Sequence, residues 1–199
     1  MKKALLRAAL LAAMISVGVP AGAAGAATLA TADPAGDVWR STFDPGTEEE
    51  TLEPAGTQPN VDLVRTKVVH GASRVVFKAR YADLRRSTNR FFFAAELRTN
   101  EGLRRDVWVE TTMRWSGDSA LLSRRGEARC RGLRHDIDYA RETVTLSVPR
   151  DCLSKPRWVQ ARMGAFAFPE DFESNDTYLD SASDDTADEP AWSARVRRG

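Results

Sequence analysis

Residues 61–81, VDLVRTKVVHGASRVVFKARY, decide the fold of this chain. Apolar and polar residues alternate on both sides of the turn Gly71-Ala72-Ser73, which is the pattern of strands with one buried face. In the first run, one face of the strand carries Val64, Thr66 and Val68, and the other face carries Arg65, Lys67 and Val69. The second run places Val75, Phe77, Ala79 and Tyr81 opposite Lys78 and Arg80. Two such runs joined by a short turn predict a β-hairpin.

The same period continues along the rest of the chain. Further strands are expected at residues 90–99, 103–115, 144–149 and 157–165, with shorter ones at 119–123, 127–131 and 133–139. In the second of these runs the predicted inward face is Val107, Val109, Thr111, Met113 and Trp115. An acidic loop at residues 181–189 precedes a short closing strand at 192–196. About eight to ten strands predict an all-β domain, an antiparallel β-sandwich of jelly-roll type.

The first 27 residues have the three-part layout of a secretory signal peptide. Lys2, Lys3 and Arg7 give a positive start, an uncharged apolar run occupies residues 8–19, and Pro20 precedes a tract of small residues. The apolar run is shorter than the about 20 residues that span a bilayer. We therefore predict an exported, extracellular protein that begins near Thr28 and is not inserted in a membrane once the leader is removed.

The exported part divides into two regions. Residues 28–60 are predicted to form an irregular N-terminal arm with at most a short strand near Val38, because few of its side chains are able to pack. Its prolines are Pro34, Pro45, Pro54 and Pro59. Residues 61–199 are predicted to form the β-sandwich domain.

The charge balance argues against a nucleic-acid partner. The chain has 29 Lys+Arg and 28 Asp+Glu, and loss of the three leader bases leaves 26 against 28, a net charge of −2. Nucleic acid and anionic lipid both need a clustered basic surface. The basic run at residues 124–131 is either a contact for an anionic cell-wall polymer or, more commonly, a solvated strand edge.

Cys130 and Cys152 are the two cysteines of the chain. An even number of cysteines in an exported protein predicts a disulfide. The alternative is a pair of buried free thiols. A disulfide that closes the loop from Cys130 to Cys152 is expected to stabilise the folded state by about 3 kcal/mol in the chain-entropy description.

A series of short landmarks resembles a group of small secreted actinobacterial proteins of unknown function. The landmarks are Asp33-Pro-Ala-Gly-Asp37, Val61-Asp-Leu63, Val69-His70, Tyr81-Ala-Asp-Leu84, Val148-Pro-Arg-Asp-Cys-Leu153 and Trp158-Val159. The preference for arginine over lysine is typical of such high-GC sources. These proteins distantly resemble DOMON-type domains and family 9 carbohydrate-binding modules. The resemblance implies a jelly-roll sandwich, a structural calcium ion and aromatic residues that face sugars or haem.

Five aspartates are candidate calcium ligands: Asp33, Asp37, Asp62, Asp176 and Asp180. Carboxylates are the hard oxygen donors that calcium prefers. Sandwich topology is able to bring the two ends of a chain together, so these side chains can meet. The alternative is that they cap turns, since Asp readily hydrogen-bonds its local backbone. A calcium ion here is expected to be structural.

Three aromatic residues point away from the predicted core: Phe92, Trp108 and Trp158. Phe92 and Trp108 each lie between two core-facing neighbours, and Trp158 points away from Val159 and Ala161. Polar residues such as Glu110 and Gln160 share their side of the strands. Exposed rings flanked by polar groups are typical of sugar-binding surfaces, and exposed apolar patches mark interaction sites generally. The alternative is that the N-terminal arm or a loop covers these rings.

No catalytic motif accompanies these features. The two histidines, His70 and His135, are far apart in sequence, and neither a G-x-S-x-G nucleophile elbow nor an H-E-x-x-H zinc motif occurs. The sequence therefore predicts a secreted, non-catalytic module that binds cell-wall or environmental glycan. The alternative is a structural or protein-interaction domain of the cell surface that has no small-molecule ligand.

Overall fold

The computed structural model describes residues 26–86, 89–169, 175–182 and 191–199. The described residues form antiparallel strands and one short 3-10 helix at Arg150–Leu153. The strands are β1 (Ala27–Ala32), β2 (Val38–Asp44), β3 (Glu49–Gly56), β4 (Leu63–His70), β5 (Arg74–Tyr81), β6 (Arg90–Thr99), β7 (Arg104–Glu110), β8 (Asp118–Ser123), β9 (Gly126–Glu127), β10 (Arg134–Asp138), β11 (Thr143–Pro149), β12 (Trp158–Phe168), β13 (Asp176–Ser181) and β14 (Val196–Arg197).

Two sheets form the sandwich. The five-stranded sheet has the order β1-β4-β5-β11-β10, and the nine-stranded sheet has the order β3-β2-β13-β12-β6-β7-β8-β9, with β14 paired to β12. The chain crosses repeatedly from one sheet to the other, as a jelly-roll arrangement requires. The predicted fold class, an all-β antiparallel sandwich with one disulfide, is confirmed.

The core lies between the two sheets because alternate residues of each central strand point inward. Strand β6 alternates buried and half-buried residues over its whole length. Its inward rings, Phe91 and Phe93, pack in one cluster with Phe77 of β5 and Leu146 of β11. Full burial of each such side chain is worth about 1.5–3 kcal/mol. The alternation read from the sequence therefore places the outward residues of β6, β7 and β12 on one open face.

The prediction of an irregular N-terminal arm at residues 28–60 is wrong. Strand β1 pairs with β4, while β2 and β3 extend the nine-stranded sheet beyond β13. Strand β3 is an edge strand, exposed along most of its length, so neither of its faces is apolar. An edge position also tolerates Pro54, whose missing N–H costs nothing there.

Three strand boundaries also differ from the predictions. Strand β7 ends at Glu110, and the loop that follows turns Met113 into solvent, where it is 84 % exposed. Gly117, at a φ of +76°, lies in this loop. Strand β9 stops at Glu127, and the closing strand β14 is Val196–Arg197.

Cys130 and Cys152 form the predicted disulfide, with their Cα atoms 5.5 Å apart. Cys130 lies on the crossover from β9 to β10, and Cys152 lies in the 3-10 helix after β11. The bond therefore joins two of the connections between the sheets.

Most of the predicted signal peptide, residues 1–25, and most of the predicted acidic loop lie outside the described residues. Within the described part of the chain, no helix has the length and hydrophobicity needed to cross a membrane.

Candidate functional site

Four aspartates meet at one end of the sandwich. Asp33 follows β1, Asp37 precedes β2, Asp62 precedes β4, and Asp180 lies on the inward face of β13. Carboxylate oxygens of Asp37, Asp62 and Asp180 lie within 4.8 Å of one another. We call these three residues with Asp33 the aspartate cluster.

Backbone N–H groups hold two of these carboxylates in place. Leu63 N–H donates to Asp180 Oδ2 at 2.6 Å, and Gly36 N–H donates to Asp62 Oδ2 at 3.0 Å. Asp62 is 0 % exposed, and the Thr57 side chain also hydrogen-bonds its carboxylate. A buried carboxylate is costly unless hydrogen bonds, a cation or a proton compensate its charge.

The electrostatics of the cluster favour a bound positive charge. Burial raises the pKa of Asp180 to about 8, the Leu63 N–H opposes this rise, and the charges of Asp33, Asp37 and Asp62 add to it. Burial also raises the pKa of Asp62, against the hydrogen bond from Gly36. Mutual repulsion of carboxylates is relieved by a proton or by a cation. The donor set, hard carboxylate oxygens at chain turns, suits calcium.

Asp176 is separate from this cluster. It lies four residues before Asp180 on β13, which corresponds to about 13 Å along a strand. The Thr42 hydroxyl donates to Asp176 Oδ1 at 2.6 Å, which links β13 to β2. The structure thus brings together four of the five candidate calcium ligands.

Phe92 and Trp108 lie on the outer face of the nine-stranded sheet, where their ring centroids are 5.8 Å apart. Phe168 of β12 packs edge-on against Phe92 at 5.7 Å. Phe166, directly opposite Phe92 in the β6–β12 register, is 41 % exposed. We call these four residues the aromatic face. Neither Phe166 nor Phe168 was among the residues predicted from the sequence.

Small residues form a flat floor beside these rings. Ala94 pairs with Gly164 of β12 on one side and with Trp108 on the other. A Cβ on Gly164 would lie 3.0 Å from the Asp180 carbonyl oxygen, so glycine permits the close approach of β13. The floor therefore stays open next to the aromatic face.

A charged row borders the other side of this floor. Glu96 lies between Arg162 of β12 and Asp106 of β7 in the sheet register. Arg162 Nε donates to Glu96 Oε2 at 2.6 Å. Burial, and then the Glu96 charge, raise the pKa of Asp106, while Arg162 lowers it. Hydrogen-bonding groups and aromatic rings thus lie on the same outer face of the sheet.

Trp158 lies on the same outer face but away from this group. It is six residues from Gly164 along β12, a separation of about 20 Å. The Arg195 guanidinium stacks over its ring at 4.6 Å. The three predicted rings therefore do not form one stacking plane.

The two histidines have separate environments. His70 is buried, and its Nδ1 lies 3.0 Å from the Val196 carbonyl oxygen. His135 Nε2 lies 2.9 Å from the Ser116 carbonyl oxygen and its Nδ1 lies 2.8 Å from Ser119 Oγ. Because a carbonyl oxygen only accepts hydrogen bonds, Nε2–H is the donor to Ser116. This imidazole joins β10 of one sheet to β8 of the other.

No protein-family model matches this chain, and no curated protein or solved structure is similar to it.

Proposed function

We propose that the protein is a non-catalytic glycan-binding module whose binding surface is the aromatic face and the adjoining floor. The observation that carries the proposal is the exposure of Phe166 beside Phe92 and Trp108 on one outer sheet face. Large apolar rings clustered in solvent are costly unless they serve an interaction.

This surface offers the two kinds of contact that a sugar needs. The apolar C–H face of a sugar ring stacks on aromatic rings, and its hydroxyls require hydrogen-bonding groups nearby. Phe92, Trp108 and Phe166 supply the rings, and Glu96 and Arg162 lie one row beyond the floor of Ala94 and Gly164. The open shape of the sheet suits a polymer chain lying across it.

Calcium has a structural role in this proposal. The aspartate cluster ties the segments before β2 and β4 to β13, which neighbours β12 in the sheet of the aromatic face. A cation there compensates the carboxylates and fixes β13 beside Gly164. The ion lies behind the sheet, so it is expected to support the surface without touching the sugar.

Retention on insoluble polysaccharides tests the proposal. The purified protein is incubated with cellulose, chitin and peptidoglycan, alongside the variants Phe92→Ala/Trp108→Ala and Trp158→Ala. We expect one polymer to retain the protein and the Trp158→Ala variant. The double variant is expected to lose about tenfold in affinity, since each aromatic contact is worth about 0.5–1.5 kcal/mol and about 1.4 kcal/mol corresponds to a factor of ten.

Trp158→Ala is the matched control, because it removes an aromatic ring from the same sheet about 20 Å away. Circular dichroism and the melting temperature show that each variant is folded. Lack of retention on all three polymers, or equal loss in both variants, contradicts the proposal. That outcome favours a protein-interaction domain, with the aromatic face as the docking surface.

A further inference from the structure

A cluster of positive charge lies on the other side of the molecule, on the outer face of the five-stranded sheet. Arg65 and Lys67 of β4 point outward, as do Lys78 and Arg80 of β5. The strand register sets Arg65 directly opposite Arg80 and Lys67 directly opposite Lys78. Neighbouring strands are about 5 Å apart and alternate residues are about 7 Å apart along a strand, so the four backbone positions form a compact rectangle. We call them the basic quartet.

The quartet is unfavourable for the sheet itself. Like charges directly opposite each other on antiparallel strands repel and destabilise the pair. In the described part of the chain, no carboxylate forms a salt bridge with any of the four. The chain has 28 acidic residues, so the concentration of bases is local and does not reflect a basic composition.

Protection of a sheet edge does not explain these charges. Charged side chains on edge strands discourage pairing with other molecules. Strands β4 and β5, however, are the second and third of five strands, between β1 and β11. The basic run at residues 124–131 differs in this respect, since it flanks β9, the last strand of its sheet.

The quartet borders a concave space of about 650 Å³. Short side chains of the flanking strands, Thr28 and Ala30 of β1 and Thr143 of β11, line it together with the four bases. Arg141 is a further lining residue, and its Nη1 donates to Asp138 at 2.8 Å. Among the described residues, the space therefore combines hydroxyl groups with four bases that form no salt bridge, and no aromatic side chain lines it.

We infer that this groove binds an anionic polysaccharide, a sugar chain that carries repeated sulfate or carboxylate groups. Arginine and lysine form charge-assisted hydrogen bonds with such oxyanions, and a repeated anion is needed to engage all four bases. The threonine hydroxyls are suited to sugar hydroxyls. A single-stranded nucleic acid is less well matched, because the groove has no ring on which bases stack. The groove lies on the face opposite the proposed neutral-sugar surface, and the inference does not depend on that surface.

Binding to soluble polymers tests the inference. Calorimetry measures the affinity of the purified protein for heparin, which carries sulfate, and polygalacturonate, which carries carboxylate. Neutral dextran and single-stranded DNA are the comparison polymers. We expect binding to heparin, polygalacturonate or both, which identifies the preferred anion. Binding to dextran should be absent and binding to DNA weaker. The affinity should fall steeply as salt is raised.

Two double variants, each of which removes two positive charges, distinguish binding in the groove from a general attraction of the polyanion to the protein. Arg65→Gln/Arg80→Gln removes two bases of the quartet, and Arg124→Gln/Arg125→Gln removes two bases from an exposed turn. The first is expected to weaken binding at least about tenfold and the second less than about twofold. The first variant should melt at or above the temperature of the unmodified protein, because repulsion across β4 and β5 is relieved.

Several results would overturn the inference. They are the absence of binding to both polyanions, an equal effect of the two double variants, and tighter binding to DNA than to either polysaccharide. Loss of binding to the neutral polymers cellulose and chitin bears on the aromatic face alone, so the two sites are tested separately.

Discussion

At the scale of single residues, the buried polar groups govern how the protein responds to its surroundings. Asp180 faces inward on β13, at a position where the alternation of a strand calls for an apolar side chain. Its carboxyl keeps a raised pKa because burial and three neighbouring aspartates disfavour the charge. An inward aspartate breaks the apolar alternation by which strands are predicted, and β13 was not among the predicted strands.

His70 makes the stability of the protein depend on pH. Burial lowers the pKa of its imidazole below 6.5, the Val196 carbonyl opposes this effect, and the charges of Arg150 and Arg198 add to it. The folded state then binds a proton less readily than the unfolded state. The contribution of His70 to stability is therefore complete above pH 6.5 and is lost as the pH falls below that value.

Urea unfolding at a series of pH values, from about 8 down to about 5, measures this effect. We expect the free energy of unfolding of the unmodified protein to fall over the acidic part of the range. The variant His70→Asn retains a donor for the Val196 carbonyl but does not titrate, so its decline should be shallower. Parallel curves for the two proteins would show that His70 does not contribute.

At the scale of elements, the strands that the sequence predicts are those with one face in the core. Strands β5, β6 and β12 alternate strictly, and β11 alternates from Val144 onward, because their inward residues pack between the sheets. Strands β1 and β3 are edge strands with small or exposed side chains, so they carry no apolar alternation and were not predicted. Burial of one face of a strand causes the alternation of apolar and polar residues. A strand with no buried face therefore shows no alternation in the sequence.

The disulfide is expected to stabilise the connections between the sheets. Reduction, or the variant Cys130→Ala/Cys152→Ala, should lower the free energy of unfolding by about 3 kcal/mol. The bond closes a segment of sequence separation 22 that contains β10 and β11. Denaturant titrations of the oxidised and reduced protein measure the difference. Unfolding curves that coincide would contradict a stabilising role.

At the scale of the whole molecule, the candidate sites depend on which strands become neighbours. The sequence places Lys78 and Arg80 opposite the core side of β5, but the register with β4 decides that they meet Arg65 and Lys67. Likewise Phe92 and Trp108 are predicted to point outward, whereas Phe166 joins them only through the pairing of β12 with β6. Alternation predicts the face of a residue, and long-range pairing determines its neighbours.

Calcium is expected to stabilise the fold through the aspartate cluster. A ligand specific to the native state at a hundredfold excess over its Kd adds about 2.7 kcal/mol, so EDTA should lower the melting temperature by about 5–10 °C. The variant Asp62→Asn should melt at a temperature that EDTA no longer changes, because a ligand is lost. Differential scanning calorimetry with added calcium or with EDTA measures both effects.

Asp176→Asn is the matched control for calcium, since it neutralises an aspartate of the same strand as Asp180 outside the cluster. It should keep the sensitivity to EDTA. An unmodified protein that melts at the same temperature with calcium and with EDTA would rule out the structural ion. If EDTA lowers the melting temperature of the Asp62→Asn variant as much as that of the unmodified protein, the ion is bound elsewhere.

The most direct test of glycan binding is oxidative footprinting of the purified protein, alone and with cellulose, chitin or peptidoglycan. Phe166, 41 % exposed, is expected to be oxidised in the free protein and protected, together with Trp108, by one of the polymers. Met113, 84 % exposed in the loop after β7, serves as the internal reference and should stay equally reactive. Two results would contradict a glycan-binding role for this face. In one, Phe166 is not oxidised in the free protein; in the other, Phe166 is oxidised to the same extent with and without each polymer.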